Sequence, residues 1–293
     1  IDEAVALRRQ LAEANPGAFL SDLAMSLNNQ AGQRAAVGDR VGALVAIDEA
    51  VAFYRKLAEA NPGVFLSDLA GSLNNQANQR AAVGDRAGAL VAIDEAVAIC
   101  RKMAEANPGV FLSDLAGSLN NQANQRAAVG DRGGALVAID EAVALRRQLA
   151  EANPGVFLSD LAMSLHNQAN QRAAVGDRVG ALVASDEAVA LRRQLAEANP
   201  GVFLSELAGS LHNQAGRRAA VGDRAGALVA SDEAVALRRQ LAEANPGVFL
   251  SDLAGSLNNQ AGRRAAVGDR VGALVAIDEA VALRRQLAEA NPG

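Results

Sequence analysis

The sequence has no tryptophan, one tyrosine, seven phenylalanines and one cysteine in 293 residues. Without aromatic bulk, the 50% of residues that are hydrophobic, mostly Ala, Val and Leu, point to helices in close contact through small side chains. The single cysteine, Cys100, excludes an intrachain disulfide and a cysteine metal cluster, and it fits a reducing cytoplasm. No apolar run approaches the ~20 residues of a membrane span, and the N-terminus does not read as a signal peptide. Excess charge of either sign is also scarce. The 28 basic and 33 acidic residues give a net charge of −5 and are interspersed, leaving no basic stripe for nucleic acid and no polybasic anchor for a membrane. Proline is limited to seven residues, and all of them fall on one position of a period.

That period is 46 residues. Ile1, Ile47, Ile93, Ile139, Ser185, Ser231 and Ile277 each open a copy of one unit, giving repeats at 1–46, 47–92, 93–138, 139–184, 185–230 and 231–276 and a stub at 277–293. A period of this size with two apolar-periodic segments predicts one solenoid of stacked helix pairs rather than a globular domain. The chain opens midway through a unit on a residue other than Met, so it reads as a fragment of a longer protein.

Within a repeat, Leu23, Ala24, Leu27, Ala31 and Ala35 hold one dry face of a first helix, helix A. Ser21 is its candidate N-cap, predicting about 16 residues. The preceding Pro-Gly-Val-Phe-Leu run is either a one-turn lead-in or the true helix start at proline. Gly38 suits a left-handed stop, and Asp39 suits the cap of helix B, predicted over 40–60 with Ala43, Leu44, Ile47, Ala50, Val51, Leu57 and Ala58 inward. Asn61-Pro62-Gly63 ends it. Arg8 and Arg9, near the end of a helix B, are read as complementing its dipole. Phe53-Tyr54 and Ile99-Cys100, which replace Leu-Arg of the other copies, are read as an exposed contact surface.

The stretch from Ala24 to Phe53 resembles a tetratricopeptide repeat of the elongated kind found in kinesin light chains and in long actinobacterial signalling arrays. The small eighth position is Ala31, the glycine at fifteen is Gly38, the alanine at twenty is Ala43, the large residue at twenty-four is Ile47 and the alanine at twenty-seven is Ala50. The resemblance implies an all-α solenoid, a right-handed superhelix of antiparallel pairs with helix A inside. It further implies a non-catalytic scaffold binding a protein or peptide in the concave groove, as the sensor or recruitment arm of a larger bacterial signalling protein. A structural spacer that self-associates through uncapped ends is the alternative. Two departures stand out, since Gln30 and Arg34 and their equivalents occupy positions seven and eleven, where the family packs apolar residues. Either they form a repeated polar seam with a carboxylate such as Asp48 or Glu49, or the helix is rotated and both are solvated.

Copies differ in helix A mainly at motif positions two, five, nine and ten. The first three share one stripe, which in the family lines the groove. Position five holds Asn28, Asn74, Asn120, His166, His212 and Asn258, and position nine includes Asn78, Asn124 and Asn170. Beside them, position six is always asparagine: Asn29, Asn75, Asn121, Asn167, Asn213 and Asn259. A column of amides roughly 10 Å apart either bonds successive peptide groups of an extended ligand or bonds adjacent helices to hold register. Glycines at positions two and nine suggest close backbone approach by a ligand or another helix. His166 and His212 are too few for a metal site and mark a duplicated repeat or a local change of groove polarity, while Ser185 and Ser231 predict a packing deficit where other copies have Ile. Nothing resembles a nucleophile with its base or a phosphate-binding glycine loop, so no catalytic residue, cofactor or metal is expected.

Overall fold

A computed structural model describes residues 2–290. Ile1, read above as a repeat start, and the last of the seven prolines, Pro292, lie outside the described residues. The chain divides into two compact bodies, Ile1–Leu149 and Ala150–Gly293. The first contains α1 (Asp2–Ala14), α2 (Pro16–Ala36), α3 (Arg40–Ala60), α4 (Pro62–Ala82), α5 (Arg86–Ala106), α6 (Pro108–Ala128) and most of α7 (Arg132–Ala152). The second contains α8 (Pro154–Ala174), α9 (Arg178–Ala198), α10 (Pro200–Ala220), α11 (Arg224–Ala244), α12 (Pro246–Ala266) and α13 (Arg270–Ala290). Even-numbered helices are the A helices and odd-numbered ones the B helices. No strand occurs among the described residues.

In the first body each helix from α1 to α5 packs on its successor, α6 shares a buried cluster with α7, and the A helices also touch, α2 on α4 and α4 on α6. In the second body each helix from α8 to α12 packs on its successor likewise. The buried side chains are small, with Ala43, Ile47, Ala50, Leu73, Ala89, Ile93 and Ala96 all at 0% exposure. The alanines bring the helices close, and leucine and isoleucine fill the layer between them. The serines that interrupt the isoleucine column, Ser185 and Ser231, are themselves buried.

Two short connections set the pairing. Gly38 adopts φ 85°, which only glycine takes without strain, and Asp39 N–H closes α2 by donating to Arg34 O at 2.9 Å. Asp39 Oδ1 then accepts Gly42 N–H at 2.9 Å as the N-cap of α3. At the other end a single residue joins two helices. Asn61 N–H donates to Leu57 O at 2.8 Å, and Asn61 O accepts Val64 and Phe65 N–H at 3.2 Å, so one extended residue ends α3 and starts α4. Pro62, at the first turn of α4, needs no amide hydrogen there.

Helix A therefore begins at the proline. The Ser21 cap expected from the sequence is not formed, since Ser21 lies inside α2, and the A helices are 21 residues long rather than about 16. Phe65 and Leu66 of the extra turn pack against the core of the first body.

Candidate functional site

The Asp-Glu pairs of α3, α5 and α11 tie neighbouring helices together on two sides. Gln76 Nε2 and Arg80 Nη2 of α4 donate to Asp48 Oδ1 of α3 at 2.7 and 3.1 Å, and Gln122 and Arg126 of α6 do the same to Asp94 of α5. In the second body Gln214 and Arg218 bond Asp186, and Gln260 and Arg264 bond Asp232. The polar seam is real, with one correction: Arg34 and Gln30 pair with Asp2 of the preceding helix B, not with Asp48 or Glu49. Each seam arginine also donates to the next N-cap, Arg80 to Asp85 at 2.8 Å. The Gly88 N–H and then Arg80 hold the Asp85 carboxyl below the usual carboxylate range.

The glutamates serve the outer side. Arg9, Arg55 and Arg101 reach Glu49, Glu95 and Glu141 of the next helix B, and Arg193 and Arg239 reach Glu233 and Glu279. These arginines are not in a last helical turn, so the dipole role expected for Arg8 and Arg9 gives way to specific partners. Arg8 donates to Ser26 Oγ, and Arg192 donates to Ser210 Oγ and is 5% exposed. Tyr54 and Cys100 occupy this same column. They are 6% and 2% exposed, so they belong to the core and form no contact surface. An arginine in the other copies had disguised the position as external. Burial pushes the Tyr54 hydroxyl up to about 12 and the Cys100 thiol upward too, which makes Cys100 a poor nucleophile.

On the helix A face the asparagines bond across repeats. Asn75 Nδ2 donates to Asn28 Oδ1 at 3.1 Å, and Asn121 Nδ2 to Asn74 Oδ1 at 3.2 Å. Asn74 Nδ2 in turn donates to Ser118 Oγ at 2.8 Å and to Ala70 O at 3.0 Å. Asn78 Oδ1 accepts from Gln125 at 3.5 Å, and Asn170 Oδ1 accepts from Arg217 at 2.7 Å. Asn259 Nδ2 lies 3.3 Å from His212 Nε2 and donates to Gly255 O. Asn29, Asn124 and Asn258 are exposed, whereas Asn120, His166, Asn167 and Asn213 are half-buried. The column thus makes the register bonds that were one of its two readings; Asn74 spends both its N–H groups, whereas Asn75 and Asn121 each donate one and keep a second N–H.

The glycines of the stripe are not approached by backbone. A Cβ at Gly32, Gly71, Gly209, Gly255 or Gly262 would meet nothing within 4 Å, and at Gly117 it would meet Arg146 Nη2 at 3.6 Å. Their absent side chains instead leave hollows. A cavity of about 440 Å³ is lined by Gly71, Asn74, Cys100, Gly117, Asn120 and Asn121, among others, and another of about 470 Å³ by Asn28, Asn29, Gly32, Gln33, Asn75 and Gln79. Both present amides, which donate and accept hydrogen bonds, and the first adds serine hydroxyls and one charge of each sign, Asp114 and Arg146. Burial, followed by Arg192 and Arg217, pushes His166 down to about 4. No group of three or more His, Cys, Asp or Glu able to hold a metal occurs among the described residues.

Antiparallel helix pairs joined by one-residue and glycine turns, with alanine at the crossings and a polar helix A face, define a tetratricopeptide-like α-solenoid. Solved structures agree. The chain is similar to BtubC (BKLC) from P. vanneervenii, with a TM-score of 0.68 and 19% identity over 83% of this chain and 90% of that one. It is also similar to nearly identical TPR-like repeats of a kinesin light chain from Podosopora anserina, with a TM-score of 0.61 and 18% identity over 78% of this chain and 99% of that one. At such identities the likeness concerns the fold. No protein-family model and no curated protein matches the sequence.

Proposed function

We propose that the chain is a non-catalytic scaffold that binds a protein or peptide segment along its helix A face, as the recruitment arm of a larger cytoplasmic bacterial signalling protein. The observation that carries this reading is the recurrence of amide-lined hollows on that face. Polar side chains there keep unused acceptors beside the register bonds, the arrangement an extended peptide backbone requires. Affinity capture with the wild-type chain and with Asn75, Asn121 and Asn167 changed together to Ala tests it. A partner held by the wild type and lost by a variant with unchanged circular dichroism supports the reading; equal retention by both removes it.

Self-association is the second reading: the copies repeat nearly the same helix-packing residues, so a helix pair of one molecule can stack on a pair of another. Light scattering over a concentration series shows growing mass if copies stack and constant mass if they do not.

A further inference from the structure

One hollow of the N-terminal body recurs in the C-terminal body with its charge changed. Four periods after Asn28, Asn29, Gly32, Gln33, Asn75 and Gln79 come His212, Asn213, Gly216, Arg217, Asn259 and Arg263. These, with Ala215 and Ser231, line a cavity of about 200 Å³. Ser231 replaces the isoleucine seen at Ile47, so a hydroxyl stands where a butyl group would. Among these lining residues are two guanidinium groups, an imidazole, amides and a hydroxyl, but no carboxylate. Arg217 is fixed by donation to Asn170 Oδ1 at 2.7 Å and to Asn213 O at 3.4 Å, and its buried Nε has no partner. Arg263 faces Gly216 instead, where a Cβ would lie 3.8 Å from its Nη2, and so lacks the tether Asn170 gives to Arg217.

We propose that this cavity binds one phosphoryl-class dianion, either free phosphate or the phosphorylated side chain of a bound segment. Two guanidinium groups are neutralised by a dianion, whereas one carboxylate would leave one of the two half-buried charges unpaired. The small volume admits a single such group. The groups facing His212 are Arg238 and Arg263, with Asp252 opposing them, and burial, followed by the two arginines, pushes its imidazole below the usual histidine range. A bound dianion reverses that field and makes protonation easier. The inference goes beyond the scaffold reading, because free phosphate needs no partner protein to occupy the cavity.

The test is NMR of the histidine side chains in the 293-residue chain, with sodium phosphate titrated against chloride at constant ionic strength. The expected result is a saturable shift of the His212 signals and a raised titration midpoint. Arg263→Gln and Gly216→Asn should each weaken binding by about tenfold or more. Gly216→Asn is decisive because it removes no charge, fills the hollow and supplies the missing tether. A phosphoserine peptide that saturates below the concentration needed for phosphate assigns the cavity to a phosphorylated segment; the reverse order assigns it to the free ion. A non-saturating response, or one unchanged in both variants, overturns the proposal. So does a serine peptide that equals its phosphorylated form, though that result leaves the scaffold reading standing.

Discussion

Adjacent residues with the same side chain can have opposite roles, as Gly133 and Gly134 at the start of α7 demonstrate. A Cβ on Gly134 would collide with the Asp131 carboxylate, which accepts Gly134 N–H at 2.9 Å as the helix cap, whereas a Cβ on Gly133 meets nothing within 4 Å. Gly134→Ala should lower stability by about 1 kcal/mol through loss of the cap. Gly133→Ala should raise it by up to about 1 kcal/mol, because alanine is the better helix former. Urea melts of the two variants read these opposite signs directly. His166 gives a pH dependence. Its folded value of about 4 lies below the unfolded value near 6.5, so the unfolded chain binds more protons between them. The contribution is complete above pH 6.5 and is lost as pH falls toward 4; His166→Asn should flatten the melting temperature across that window relative to wild type.

At the scale of helices, two kinds of carboxylate bridge differ in how deeply their donors are buried. Asp94 satisfies Gln122, which is 9% exposed, so Asp94→Ala strands a buried amide and should cost about 1–3 kcal/mol. Glu141 meets Arg101 with side chains 34% and 45% exposed, and Glu141→Ala should cost less than about 1 kcal/mol. Thermal denaturation of the pair checks the order; equal losses would mean the two bridges are equally buried in effect. The bounds of the B helices were legible because Asp39 and Gly38 mark one end and Asn61-Pro62 the other. The start of the A helices was not, since Phe65 and Leu66 break the four-residue spacing and Ser21 offers a plausible cap inside the helix. Helix faces were legible too, and they put Gln30 and Arg34 on one face, with a seam and a solvated face both open. A face does not say which neighbour it meets, so the choice between Asp2 and Asp48 needed the packing. Tyr54 and Cys100 were misread because a buried arginine in other copies looks external in a sequence.

Across each body, contacts join helices that are near in sequence, so stability should accumulate repeat by repeat. Deleting residues 231–293 should lower the denaturation midpoint and the denaturant slope while leaving a folded remainder; complete unfolding would show instead that the last repeat and stub are indispensable. The candidate site was legible here only as a column. Its hollows arise from glycine against open space, and whether a missing side chain is filled by a neighbour depends on helix spacing that composition does not reveal. The seam has a further meaning for how such a chain changes over generations. Its bonds link residues 28 and 32 positions apart, and the outer bridges link residues 40 apart, all shorter than the 46-residue period. Unequal recombination between copies therefore rebuilds the seam and the outer bridges at the new junction, because every copy carries the same Asp, Glu, Gln and Arg there. The array can so lengthen or shorten by whole repeats, while the helix A bonds, 47 apart and between residues that vary, change with the copies joined.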